Sequence, residues 1–72
     1  MAEEIRAEMV ANVWKVVKSA GDSVAEGDQL VILESMKMEI PVTSPEPGVI
    51  REVLVQETEI VGEGAVIVRI EV

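Results

Sequence analysis

"GDSVAEGDQLVILE", residues 21–34, returns in altered form as "TEIVGEGAVIVRIE", residues 58–71, at an offset of 37 positions. Val24 aligns with Val61, Glu26-Gly27 with Glu63-Gly64, Val31 with Val68 and Glu34 with Glu71; upstream, Val16 aligns with Val53. Conservative exchanges fill the intervals: Val13/Ile50, Asp22/Glu59, Leu30/Ile67 and Leu33/Ile70. Residues 11–34 and 48–71 therefore read as two copies of one unit. Neither copy can bury an apolar face alone, so the two are expected to pack as halves of a pseudo-twofold sandwich in a single domain, 1–72.

Composition assigns that unit to β structure. Of 72 residues, 14 are Val and 7 are Ile, side chains that suit a pleated surface better than a helix. Apolar and polar residues alternate through Ile5, Ala7 and Met9, from Val13 to Val17, and through Met38, Ile40 and Val42. Turn-forming residues interrupt at Gly21-Asp22, Gly27-Asp28, Pro45-Glu46-Pro47-Gly48 and Gly62 to Gly64, spacings that fit short strands and leave no room for a long helix. The expected class is all-β. A chain this short buries only about 60% of its unfolded surface, and without cysteine it must rely on an aliphatic core.

The same composition excludes much chemistry. A net charge of −8 opposes binding to phosphate backbones and anionic lipid, and the single aromatic residue, Trp14, reads as a packing residue and not a platform for bases. No nucleic-acid or membrane partner is expected. "MAEEIRAEMV" lacks the basic start and apolar run of a signal peptide, and no stretch approaches the ~20 apolar residues of a membrane span, so a soluble cytoplasmic monomer is the default. Histidine and cysteine are both missing, which removes the commonest general base, thiol chemistry and the commonest metal ligands. Ser and Thr hydroxyls are left without a histidine base. In residues 21–28, Asp22, Glu26 and Asp28 do not have calcium-loop spacing, and Gly27-Asp28-Gln29 stands where a phosphate loop needs Gly-Lys-Ser/Thr. Two turns flanking a short crossing describe that segment better.

"SMKM", residues 35–38, falls at the join between the copies, where the repeat does not explain it. A lone lysine at a hairpin tip is ordinarily just solvated. Here, however, a two-residue hairpin would need both central residues at positive φ, a demand usually met by Asn-Gly or Asp-Gly, and Met36-Lys37 meets it without evident benefit to folding. Met36, nearest the tip, reads as an adaptable apolar contact for a partner; Met38 shares the strand phase of Ile40 and Val42 and reads equally as a core filler or a second contact. Glu34 and Glu39 read as solvated carboxylates flanking the cation, so Lys37 does not activate itself and an enzyme acting on it must remove its proton.

"ESMKMEIPV" (34–42), preceded by the Gly-Asp turns and followed by "SPEPGVI" (44–50), resembles the biotin/lipoyl attachment domain family, most nearly its small free-standing biotinyl attachment proteins. The resemblance runs from about Ile5 to Ile70. Met-Lys-Met between two half-repeats is typical of biotin carriers, whereas lipoyl carriers usually have Asp-Lys followed by Ala or Val. The resemblance implies a flattened β-barrel or sandwich of two four-stranded antiparallel sheets, with both termini at one end and the lysine hairpin at the other. It further implies that Lys37 carries biotin through an amide, that Met36 and Met38 are read by a biotin protein ligase, and that Glu34 flanks the attachment site. The carrier would serve biotin carboxylase and carboxyltransferase partners and catalyse neither of their reactions. Ser35 replaces the usual Ala, Thr58-Glu59 replaces a second Gly-Asp turn, and Ala11 stands where many relatives have Gly. No protruding thumb is inserted between the strands, which argues against the acetyl-CoA carboxylase carrier subunit as the nearest type. Two rivals remain open at this point: lipoate on the same lysine, alone or besides biotin, and an unmodified β-domain that serves only as an interaction module.

Overall fold

The computed structural model describes residues 2–72. Along the chain run strands β1 (Ala2–Arg6), β2 (Ala11–Val16), β3 (Ser23–Val24), β4 (Gln29–Ser35), β5 (Met38–Thr43), β6 (Gly48–Val53), β7 (Ile60–Val61) and β8 (Val66–Glu71). They form two four-stranded sheets, β1-β8-β6-β3 and β5-β4-β2-β7, in which every pairing is antiparallel. Among the described residues no helix is long and apolar enough to cross a membrane.

The two halves of the chain are interleaved. An offset of 37 carries β1–β4 onto β5–β8 in order, so each sheet takes two strands from each half. The same offset recurs in single hydrogen bonds. Gly21 N–H donates to the Ile50 carbonyl as Thr58 N–H donates to that of Val13, and Gly27 N–H donates to Ser44 as Gly64 N–H does to Ala7. The turns match as well: the Asp22 carboxylate accepts from Ser19 N–H at 2.8 Å, and the Glu59 carboxylate from Gln56 N–H at 2.9 Å. Gly21 has φ +95°, and Thr58, its counterpart, takes φ 74° despite its branched side chain. That turn geometry survives the loss of glycine because its hydrogen bonds stay in place.

The correspondence reaches further than sequence matching over 11–34 and 48–71. It includes β1 and β5, where Ile5/Val42 is a conservative pair but Glu3/Ile40, Glu4/Pro41 and Arg6/Thr43 have no side-chain similarity. The alternation expected through Met9 stops earlier: β1 ends at Arg6, and the chain leaves the sheet where Ala7 N–H donates to Ala65 O. Arg6 closes that corner through a guanidinium bond of 2.8 Å to Gly64 O.

Inward-facing Val13, Leu30, Val31, Leu33, Ile50, Ile67, Val68 and Ile70 fill the space between the sheets and are fully buried. Burying each such side chain contributes about 1.5–3 kcal/mol. The buried polar residue, Ser44, donates its hydroxyl to Glu46 O at 2.6 Å and is satisfied there. Trp14 corrects the expectation of a packing residue, being 45% exposed. It is the extra residue of a bulge between Val13 and Lys15 against β4, and Arg51 occupies the matching bulge between Ile50 and Glu52 against β8. Bulges here aim the extra residue either way: Trp14 and Arg51 lie outside, whereas Leu30 and Ile67, extra residues of the β4–β5 and β1–β8 bulges, are fully buried.

Gly48, at the start of β6, is fixed by crowding. A Cβ there would lie 2.5 Å from the Glu71 carbonyl oxygen and 3.2 Å from Ile70. Because backbone must move to admit it, Gly48→Ala is expected to lower stability by about 1–3 kcal/mol, read from urea denaturation midpoints. A Gly48→Ala protein as stable as the wild type would show that the β6–β8 approach yields freely.

Candidate functional site

The β4–β5 ladder ends with Glu34 opposite Glu39 and Ser35 opposite Met38, leaving Met36-Lys37 as a two-residue loop. Both loop residues have positive φ, 52° at Met36 and 64° at Lys37. That is the primed hairpin turn, whose twist matches that of the strands it joins. Left-handed backbone costs an L-residue with a Cβ roughly 1–2 kcal/mol. The cost is offset from below, because Val31 and Leu33 of β4 are locked in the core in one strand phase and a slip of one residue would turn both outward.

Met36 is 91% exposed, Lys37 is exposed, and Met38 is 65% exposed. The two readings of Met38 are thus separated. It shares the inward phase of Ile40 but lies beyond the last pair facing the core, Leu33 and Ile40, so nothing remains above it to pack against. Glu34 is half-buried and Glu39 exposed, and the two carboxylates sit directly opposite each other one pair below the tip. Like charges so placed oppose folding. The tip therefore presents an ammonium between two apolar side chains above a pair of acids, held by backbone that a folding-optimised sequence would not choose.

A groove of about 450 Å³ lies between β1 and β5, lined by Ile5, Ala7, Met9, Leu33, Ile40 and Val42 among others, with no lining residue from the hairpin tip. Lys37 thus stands on an open corner and not in a cleft that could exclude water. Among the described residues no cluster of acidic side chains could hold a metal ion. What the corner can do is offer a primary amine on a long stem to the active site of another protein. Sequence reasoning missed the neighbours of this corner. Asn12 lies beside Glu34, and Ile60 beside Asn12, across the ladder. Ile60 falls on a two-residue strand too short to show alternation.

A family model described as "Biotin-requiring enzyme" matches residues 3–70. The biotinylated protein TB7.3 homolog of Mycobacterium leprae is 49% identical over 67 residues, spanning 93% of this chain and 94% of its own. The biotin/lipoyl attachment protein of Bacillus subtilis is 43% identical over 63 residues, spanning 88% and 86%. Among solved structures, the urea carboxylase of Kluyveromyces lactis superposes with a TM-score of 0.92 at 31% identity, covering 99% of this chain but 6% of that one.

The strain at the tip is measurable. Replacing both loop residues, Met36→Asn with Lys37→Gly, installs the pair that suits the turn and is expected to raise stability by about 1–2 kcal/mol in urea unfolding. A fall in stability would mean that the turn carries no strain to relieve.

Proposed function

The chain belongs to the biotin/lipoyl attachment family, and from that membership we propose that it is a biotin carrier whose attachment point is Lys37, acylated by a biotin protein ligase. The observation that carries this reading is the Met36-Lys37 turn, left-handed at both residues and exposed. Its conformation disfavours folding, and its side chains suit recognition by another protein.

The residues at the corner fit the group. Lys37 Nζ gives up a proton and forms an amide with the carboxyl carbon of biotin, delivered by the ligase as the adenylate, and AMP departs with the electrons of the broken acyl–phosphate bond. Met36 and Met38 offer apolar surface on either side of the amine, which a partner can repack around. Glu34 and Glu39 give the corner a charge that orients it toward a basic surface. The hairpin keeps the attachment point rigid while the lysine stem supplies reach. Once attached, biotin supplies the ability to accept a carboxyl group at one active site and release it at another. The chain contributes positioning and recognition to that cycle, and with no histidine or cysteine in its sequence it is a substrate of the ligase and not a catalyst. Biotin carboxylase and carboxyltransferase sites are its proposed partners, in keeping with its likeness to a segment of a urea carboxylase.

Incubation with a biotin protein ligase, ATP and biotin is expected to raise the intact mass by one biotinyl group. Lys37→Arg should fold normally and stay unmodified, because a guanidinium keeps its charge and is a poor nucleophile. Modification that survives Lys37→Ala overturns the assignment. The name of the Bacillus subtilis relative favours lipoate as a second reading, and a parallel incubation with lipoate and its ligase decides it by the mass gained.

A further inference from the structure

The internal repeat supplies a control within the molecule: two outer sheet faces built on the same backbone plan but covered by different side chains. On the β1-β8-β6-β3 face, Arg69 bridges Glu4 at 3.1 Å and Glu52 at 2.8 Å, and Arg6 reaches Glu4 at 2.6 Å. Arg69, with help from Arg6, holds the Glu4 carboxyl below the ordinary range. Arg51 lies 3.6 Å from Glu71 on the same sheet, so all three arginines of the chain are spent there.

On the β5-β4-β2-β7 face, the positions matching Arg51, Arg69, Glu4 and Ser23 are Trp14, Ile32, Pro41 and Ile60. Trp14 is 45% exposed, Ile60 is 72% exposed and Pro41 is exposed. The charged face demonstrates that the scaffold does not require apolar residues at these positions. Their presence on one face only therefore calls for something other than folding to cover them.

The apolar face belongs to the sheet that carries Lys37. Ile32 and Pro41 are directly paired two residues below Glu34 and Glu39, a step of about 7 Å along the strands. From the tip downward the surface reads methionines, then a row of Glu39, Glu34, Asn12 and Ile60, then Pro41, Ile32 and Lys15, whose ammonium lies 5.9 Å from the centre of the Trp14 ring. A specific protein contact covers roughly 800 Å² per partner. A four-residue tip is too small to supply that area.

We propose that this face, centred on Trp14, Ile32, Pro41 and Ile60, is where the biotin protein ligase docks to reach Lys37, through a complementary surface with an apolar centre and basic residues opposite Glu34 and Glu39. The inference rests on the carrier reading above. The ligase is the occupant because it meets the chain before biotin is attached and has only polypeptide to read, whereas carboxylase sites can also bind the biotin itself.

The test is steady-state biotinylation at varied carrier concentration. The double variant Trp14→Ser, Ile60→Ser is expected to raise KM about tenfold or more, the scale of losing a buried aromatic anchor, with kcat changed less than about twofold. A control variant of the other face, Val49→Ser with Arg51→Ser, should leave KM unchanged, and circular dichroism melting confirms that both are folded. Rising salt should raise KM for the wild type. An unchanged KM in the Trp14, Ile60 variant overturns the proposal, as does an equal rise in the control. An apolar face covered instead by a second copy would give a dimer in sedimentation of the wild type, which also overturns it. Failure of the wild type to accept biotin is a separate result, and it overturns the carrier reading itself.

Discussion

Everything distinctive about this molecule depends on the inward row of β4. Val31 and Leu33 are fully buried in one strand phase, with Leu30 buried beside them as the extra residue of a bulge, and strand periodicity allows that row one register against β5. With that register fixed, the two residues left over at the top must close the hairpin, whatever their own preferences. Met36 and Lys37 consequently adopt a backbone that neither would choose in isolation. The core does not merely support the exposed corner. It forces conformation onto it, so a methionine and a lysine can sit where turn-forming residues belong.

How much of this was legible in the sequence follows from which interactions leave a chemical trace. Gly27 and Gly64, or Val31 and Val68, recur because buried strands and their turns constrain residue type. The kinship of β1 and β5 left little trace beyond Ile5/Val42, since edge strands with one bonded neighbour accept Glu4 in one copy and Pro41 in the other. Trp14 was misjudged because a bulge breaks the period on which inside and outside are read. Met38 was ambiguous for a related reason: its phase points inward, but phase says nothing about whether the core extends that far. Lys37 was legible by elimination and by the implausibility of its turn. The grouping of Ile32, Pro41 and Ile60 beside it was invisible, because it is assembled across three strands and two rows of the ladder.

The chain also separates what a fold demands from what it tolerates. Ion pairs such as Arg69–Glu4 and Arg69–Glu52 are exposed and of a kind that adds little to stability. Their role is better seen as keeping one broad face soluble and self-neutralised. Opposite signs are used up on that side, which leaves much of the chain's negative excess for the remaining surface. That excess lies mostly in the turns, at Asp22, Glu26, Asp28, Glu57, Glu59 and Glu63 among others, so it is the apolar asymmetry that singles out the sheet that bears the lysine.

One correspondence within the repeat gives the hairpin a different meaning. Ala2 is the ladder partner of Glu71 in the place that Glu39 and Glu34 hold in the other half. The corner with the lysine and the corner where the first and last strands meet are the same corner of a duplicated plan. At one the backbone crosses from strand to strand; at the other it does not, and the sandwich closes all the same. The crossing is therefore topologically dispensable to the architecture. A duplicated fold offers evolution a spare vertex of this kind, whose connection can be rewritten for chemistry while its twin shows that the walls hold without it.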